Sequence, residues 1–556
     1  MGKQWWKESV IYQIYPRSFK DSNGDGIGDL RGIIEKLDYL EFLGIDAIWL
    51  CPIFASPNVD NGYDISNYKE IMEEFGTMND FDELLEEAHR RGIKIILDLV
   101  MNHTSDEHPW FQESRSSREN PKRNWYIWRD GKDGREPNNW KSIFEGSVWE
   151  FDEKTGQYYF HTFSKNQPDL NWENPEVRKA LEEMVTWWIR KGIDGFRIDA
   201  ISHIKKEPGF PDMPNPHGLD YVPADRYMTN VDGIEELLNE FSRNTFKKYG
   251  VMTVGEASGV TAEEAEKWVN EKTGFFNMIF HFDHTGLWKK SSDDGVDVVA
   301  LKKALSRWQY ALEGKGWNAL FLENHDQVRS VSRWGDEGRF WKESAKMLGA
   351  FYFFMKGTPY IYQGQEIGMT NVQFSDIDDY DDIGMKNFYH SERKKGRSHE
   401  EIMEVIWMRG RDNSRTPMQW DDGPMAGFTS GTTSWLGINP NYPMINVARQ
   451  LKDPDSILHF YRKMIQLRKQ EPCFVYGTYR LHLPDDPHFI VYTRSLGGKK
   501  ALVLCNFHYE EKEFTMPKEL LQEKFIPVLG NYPLSRKPLS YKMKVHPYQV
   551  IVALNK

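Results

Sequence analysis

The sequence predicts an α/β protein: a (β/α)8 barrel carrying a small inserted domain after its third strand, followed by an antiparallel β-sandwich. Three observations predict it. Eight short apolar runs recur with amphipathic stretches between them, the pattern of strands buried on both faces of a parallel sheet and linked by crossover helices. The third and fourth runs lie much further apart than the roughly 30 residues of a barrel unit. From about Tyr476 the pattern changes to short alternating runs such as YGTYRLHL, HFIVYTRSL and KALVLCNF, which read as antiparallel strands.

The runs are VIYQIYP from Val10, DAIWLCP from Asp46, KIILDLV from Lys94, GFRIDA from Gly195, VMTVGEA from Val251, FNMIFHF from Phe276, NALFLENHD from Asn318 and TPYIYQGQE from Thr358. FDELLEEAHRRG (Phe81 to Gly92) and NPEVRKALEEMVTWWIRKG (Asn174 to Gly192) are two of the intervening helices. In the second, Asn174 caps, Pro175 takes the first helical position and Gly192 stops the helix. The chain divides into a first barrel part (1–103), an inserted domain (104–171), a second barrel part (172–475) and the sandwich (476–556). The inserted stretch is rich in Trp, Asn, Gly and Pro and projects over the face where barrel enzymes build active sites. A further insertion spans about 368–430 and contains DIDDYDD (Asp376 to Asp382), which reads as a solvated loop.

With 556 residues, 39% apolar and 28% charged, the chain is globular and larger than one ordinary domain. No run of about 18 apolar residues is present to span a bilayer, and MGKQWWKESVIYQIYP reads as neither a signal peptide nor a myristoylation site. A net charge of −12 argues against nucleic acid and anionic membranes as partners. Three cysteines, Cys51 and Cys505 in strand-like runs and Cys473 in a loop-like EPCF, lack metal spacing and read as reduced core thiols, which implies a cytoplasmic location. Aromatics at 14%, mostly core, include enough to stack on sugar faces.

Three acids follow strand-like runs: Asp199 in GFRIDA, Glu256 in VMTVGEA and Asp326 in NALFLENHD. A carboxylate there adds nothing to the core but sits where parallel-sheet enzymes assemble their chemistry. Glycosidic hydrolysis needs an acid for the leaving oxygen and a carboxylate for the developing positive charge. Arg197, two residues before Asp199 on the same strand, faces the same side and is expected to keep that acid ionised as nucleophile. Glu256 ends a more apolar run, suited to a raised pKa and proton donation. Asp326, beside His325, is the expected transition-state stabiliser.

DLVMNHT (Asp98 to Thr104), GFRIDA, VGEA and ENHD (Glu323 to Asp326) resemble, in order, the four sequence regions of the α-amylase family, glycoside hydrolase family 13. QPDLNWENP (Gln167 to Pro175), DNGYDI (Asp60 to Ile65), NSRTPMQW (Asn413 to Trp420) and the opening WWKESVIYQIYPRSF resemble its oligo-1,6-glucosidase and α-glucosidase branch. The resemblance implies the roles just given to Asp199, Glu256 and Asp326. It implies a retaining mechanism with nucleophile and acid roughly 5–5.5 Å apart. Asp60, Tyr63, His103, Arg197, His325 and Arg415 would line the pocket for the terminal glucose, with Asp60 and Arg415 facing each other to close its non-reducing end. Asp98 would support its neighbours.

DSNGDGIGD (Asp21 to Asp29) begins like a calcium loop but has Gly32 where an EF-hand needs Glu. The resemblance implies one structural Ca²⁺ held by Asp21, Asn23, Asp25, the Ile27 carbonyl and Asp29, and no cofactor for catalysis. Ala200, after the nucleophile, is the specificity position of the branch, where valine accompanies α-1,6 preference. The resemblance thus implies an exo-acting retaining α-glucosidase, and the small size of Ala200 predicts that it favours short α-1,4 (maltose-like) substrates. The alternatives are an oligo-1,6-glucosidase acting on isomaltose or panose, a trehalose-6-phosphate hydrolase using Lys205 and Lys206, and a sucrose isomerase. A non-catalytic transporter-associated relative is disfavoured, because all three acids are present. The partner is a small oligosaccharide or disaccharide, and monomer and dimer both remain open.

Overall fold

The computed structural model describes residues 2–287 and 296–555. Eight parallel strands form the centre: β1 (Ile11–Ile14), β2 (Ala47–Leu50), β3 (Lys94–Val100), β4 (Gly195–Asp199), β5 (Met252–Glu256), β6 (Met278–Phe280), β7 (Ala319–Leu320) and β8 (Thr358–Tyr362). They pair in the order 6-5-4-3-2-1-8-7, so the sheet wraps to within one seam of closing. The helices that matter here are α1 (Met78–Arg90), α2 (Pro175–Lys191), α3 (Val298–Ala311), α4 (Trp341–Phe353), α5 (Ile383–Lys394), α6 (His399–Arg409) and α7 (Ile457–Gln470).

Strand periodicity decides what enters the barrel. Alternate residues of a strand face one side, and Ile11, Ala47, Trp49, Ile96, Met252, Val254, Met278, Phe280 and Tyr360 pack together as one buried cluster. The same parity carries Arg197 and Asp199 inward on β4, and Glu256 inward above Val254 on β5. Asp98 pairs in register with Arg197 across the β3–β4 ladder, and Val254 pairs with Arg197 across β4–β5. Apolar residues thus fill the lower layers and charge occupies the carboxyl-end layer. The outward faces pack on the helices. α2 is capped by Asn174, begins at Pro175 and stops at Gly192, whose φ of 108° is left-handed.

The chain between β3 and β4 carries a three-stranded antiparallel sheet of Trp128–Arg129, Gln157–Phe160 and Trp149–Asp152. After the barrel, β9 (Thr478–His482), β10 (Phe489–Leu496), β11 (Lys499–Asn506), β12 (Lys512–Thr515), β13 (Phe525–Gly530), β14 (Lys542–Val545) and β15 (Val550–Asn555) form two antiparallel sheets, ordered 9-10-11-15-13 and 12-14.

Three local expectations are corrected. The NALFLENHD run is a strand only at Ala319–Leu320, so Asp326 sits in the loop beyond β7. Cys473 opens a short helix, Cys473–Tyr476, and is buried. The acidic run is not wholly solvated: Asp382 is buried and caps α5 by accepting from Gly384 and Met385 amides. All three cysteines are free and buried, and among the described residues no helix is long and apolar enough to cross a membrane.

Candidate active site

Arg197 is the centre of the site. Its Nη1 donates to Asp98 Oδ1 and to Asp199 Oδ1, both at 2.7 Å, and its Nη2 donates to Glu256 Oε2 at 2.5 Å. One guanidinium fork therefore gathers three carboxylates, each brought by a neighbouring parallel strand. Side-chain exposure separates them: Asp98 is 0% exposed, Asp199 10% and Glu256 20%. Asp98 is walled in, accepting also from Trp49 Nε1 at 3.1 Å and Tyr63 Oη at 2.9 Å. The other two open to the cleft.

The charge state differs from the sequence expectation. Burial is the largest influence and pushes the Asp199 carboxyl well above the usual range; Arg197 opposes it, but the charges of Glu256 and Asp98 add to the rise. A guanidinium divided among three carboxylates offsets only part of the burial of Asp199.

Asp326 has the opposite environment. Burial would raise its pKa, but His325, Arg411 and Arg415 together hold it well below the usual range. His325 Nε2 lies 3.1 Å from Asp326 Oδ2, and Arg415 Nη2 lies 2.8 Å from Oδ1. Burial would lower His325, and the Asp326 charge is the chief cause that instead raises it to about 10. Its ring stacks on Tyr63 at 5.2 Å and 3°, and its Nδ1 meets the Gln13 amide at 2.8 Å.

The rim is rearranged relative to expectation. Asp60 does not face Arg415. Its Oδ1 lies 3.3 Å from Arg411 Nη2, and its Oδ2 accepts from Gln167 Nε2 at 3.1 Å. Arg415 is instead spent on Asp326 and on the His325 carbonyl, 2.8 Å from its Nε, because it leaves the short Asp412–Arg415 helix deeper in the pocket. Arg411 Nη1 also reaches Asp326 Oδ1 at 3.3 Å. Arg411 was not singled out from the sequence; its position four residues before Arg415, one helical turn away, was the available signal. His103 Nε2 meets the Tyr63 carbonyl at 2.9 Å and Gln167 Nε2 at 3.2 Å, which ties the inserted domain to the pocket wall.

Lys206 is not on a solvated helix face. Its side chain is 2% exposed and its Nζ lies 2.5 Å from Asp169 Oδ2, with further bonds to Asn102 Oδ1 and the His203 carbonyl. Lys205 is paired with Glu173. Ala200 is buried, with φ 44° and ψ 31°, and its amide lies 3.3 Å from Glu256 Oε2.

The Asp21–Asp29 loop has the chemistry for a hard cation. Asp21 is 1% exposed and its carboxyl is held below the usual range: burial opposes this, and Thr429 and the amides of Gly24, Gly26 and Asn23 outweigh it. Gly24 and Gly26 take φ of 87° and 90°, which a tight ligand loop requires. The other oxygens are turned to local amides: Asn23 Oδ1 accepts from Asp25, Asp25 Oδ1 from Ile27, and Asp29 Oδ1 from Gly32. Among the described residues, no three acidic, His or Cys side chains converge at ligand range. The donor types fit Ca²⁺; their present orientation does not form a cage.

A parallel barrel whose carboxyl end gathers three carboxylates on one buried arginine, two of them open to the cleft, has the constellation expected of a glycoside hydrolase. The α-amylase catalytic-domain model matches residues 13–477. A probable oligo-1,6-glucosidase 3 of Bacillus subtilis (strain 168) is 60% identical over 506 residues, 91% of each chain. An oligo-1,6-glucosidase of Parageobacillus thermoglucosidasius is 52% identical over 559 residues, 99% of each. The crystal structure of a Bacillus licheniformis trehalose-6-phosphate hydrolase superposes with a TM-score of 0.92 at 47% identity, covering all of both chains. The chain belongs to the α-amylase family, glycoside hydrolase family 13, in its oligo-1,6-glucosidase and α-glucosidase branch.

Proposed function

We propose that the protein is an exo-acting, retaining α-glucosidase that releases glucose from the non-reducing end of short α-1,6-linked glucosides such as isomaltose and panose. The observation that carries the hydrolytic reading is the Arg197 fork, which holds Asp199 and Glu256 at 2.7 and 2.5 Å. Two carboxyls drawn together on the two terminal nitrogens of one guanidinium support the close spacing of a retaining enzyme, roughly 5–5.5 Å, over the about 6.5–9.5 Å of an inverting one.

Asp199 attacks the anomeric carbon and Glu256 protonates the leaving oxygen, then removes a proton from water in the second half-reaction. Glu256 must carry a proton for the first step, and Arg197, which pairs Asp199 on Nη1 and Glu256 on Nη2, holds the two acids in position for it. Asp326, kept ionised by three cations, stabilises the oxocarbenium-like charge. Asp60, Tyr63, His103, Arg197, His325, Arg411 and Arg415 surround the terminal glucose, and the Asp60–Arg411 contact ends the pocket after one unit.

Linkage is read from the relatives, two of which carry oligo-1,6-glucosidase names at 60% and 52% identity. This replaces the α-1,4 preference drawn from Ala200. The left-handed backbone there favours a small residue on steric grounds, so its size is not a clean measure of room for the aglycone. The phosphate reading loses its support, because Lys205 and Lys206 are engaged in ion pairs. Three buried free thiols support a cytoplasmic location.

Parallel assays on isomaltose, panose, maltose, sucrose and trehalose-6-phosphate test the proposal. Isomaltose should give the highest kcat/KM, the α-anomer of glucose should appear first by NMR, and Asp199→Asn should abolish release. A maltose preference would overturn the linkage, and a β-anomer the mechanism.

A further inference from the structure

Resting on the α-glucosidase reading, we propose that Asp382 is the positioning residue that sets Arg411 across the end of the sugar pocket and thereby fixes how tightly the terminal glucose is held. Asp382 lies in the insertion after β8, outside any contact with Asp60 or Asp326. Its carboxylate is 0% exposed and receives Arg411 at three points: the backbone amide at 3.0 Å on Oδ2, and Nε at 3.1 Å and Nη2 at 2.8 Å on Oδ1. The same Oδ1 caps α5 through the Gly384 and Met385 amides, at 2.9 and 3.3 Å. Its own backbone is pinned, since Asp412 Oδ2 accepts from the amides of Asp381 and Asp382 at 2.6 and 2.9 Å.

Geometry ranks the contacts of Arg411. Those to Asp382 are the shorter set: Nε and Nη2 converge on Oδ1 while the backbone amide holds Oδ2, and charge-assisted bonds of this kind fix the side chain's orientation. Those to Asp60 and Asp326 are both 3.3 Å, near the limit of a hydrogen bond. The side chain is thus oriented from behind and presented loosely to the two pocket acids, leaving their lone pairs free for sugar hydroxyls. Phe144 of the inserted domain covers it at 5.2 Å, and the Phe144 carbonyl accepts from Asn387 of α5 at 3.1 Å. Asn61, beside Asp60, donates to Asp381 at 2.8 Å. Three segments remote in sequence therefore meet around this arginine, and Asp382 is the fully buried acid that anchors it.

The two pocket acids depend on Arg411 unequally. Asp326 keeps Arg415 at 2.8 Å whatever Arg411 does. Asp60 has no other cation within reach in the described contacts, only Gln167. Misplacing Arg411 should therefore weaken ground-state binding at the rim more than charge stabilisation in the transition state, and a KM effect should exceed the kcat effect.

Asp382→Ser and Asp382→Ala separate this role from helix capping, because Ser still caps α5 but does not reach Arg411. On isomaltose, both variants should raise KM tenfold or more with kcat reduced about threefold or less, although Ser retains the higher Tm. Asp382→Glu should recover part of the KM. A crystal structure of the Ser variant should show Arg411 withdrawn from Asp60. A Ser variant with wild-type KM, or with Arg411 unmoved, overturns the proposal. If the wild type released no glucose from any α-glucoside, the functional reading would fail, and the crystal structure would still decide where Arg411 goes.

Discussion

Replacing Arg197 by Gln should disable the site by two routes that pH separates. The side chain is 1% exposed and lies over the Trp49 and Tyr63 rings at 5.1 and 5.8 Å, so no water takes its place readily. Each hydrogen bond between charged partners contributes about 1.5–3 kcal/mol. Losing those to Asp199 and Glu256 removes about 3–6 kcal/mol of organisation, a factor of roughly 10²–10⁴ in kcat/KM. The second route is titration. Arg197 is the cause that holds the Asp199 pKa down against burial and against Glu256 and Asp98. Without it the nucleophile pKa rises further. The acid limb of the kcat/KM profile should therefore move to higher pH, measured on 4-nitrophenyl α-glucoside from about pH 4 to 9. Arg197→Lys keeps the charge but loses the fork, and its limb should fall between the two. A Gln variant whose activity drops while its acid limb stays at the wild-type pH would refute the electrostatic reasoning and leave Arg197 as a packing element.

Lys206→Met breaks the buried pair with Asp169 and leaves that acid without its cation; such a loss costs about 3–5 kcal/mol, so the Tm should fall by several degrees, and Lys206→Met with Asp169→Leu should recover much of it. The His325 pKa is raised to about 10, so its contribution to stability is fully present below the ordinary histidine value near 6.5 and is lost as pH rises through about 10; the wild-type Tm should decline on that alkaline limb, and His325→Asn should decline less. Millimolar CaCl₂ should raise the Tm and a chelator reverse it, with Asp21→Asn insensitive to both; identical melting curves with and without Ca²⁺ would show that the Asp21–Asp29 loop holds no stabilising ion.

The barrel was readable because parallel strands buried on both faces leave continuous apolar runs, and because the fold places chemistry at their carboxyl ends. Asp199 and Glu256 close β4 and β5 on the inward parity, so strand geometry alone fixes where they point. Asp326 was found by its neighbours, since β7 ends well before it. What stayed hidden is the set of long-range pairings. Arg411 and Arg415 are one turn apart and chemically alike, and only the tertiary path of the insertion decides which meets Asp60. Lys206 looked solvated because adjacent lysines after a strand usually are, and nothing local announces Asp169 across the inserted domain. Asp382 was masked by its own run of acids, whose other members supply no buried carboxylate of this kind.

The arrangement of cations explains how acids so close together take different roles. Asp199, Glu256 and Asp98 share one guanidinium, and burial raises the pKa of Asp199 and of Asp98 despite it. Asp326 is faced by three cations, His325, Arg411 and Arg415, and stays charged, which a stabiliser of positive charge requires. The difference does not come from the acids, which are chemically alike, but from the ratio of buried positive to negative charge on each side of the pocket. That ratio is set by segments of unequal constancy in the fold. The Arg197 group rests wholly on adjacent barrel strands, where ladder register fixes every member. The stabiliser draws two of its three cations from the insertion after β8, whose position depends on Asp382, Asp412 and the contact with Phe144. Substitutions in that insertion should therefore alter affinity and the length of glucoside accepted while the bond-breaking pair keeps its geometry.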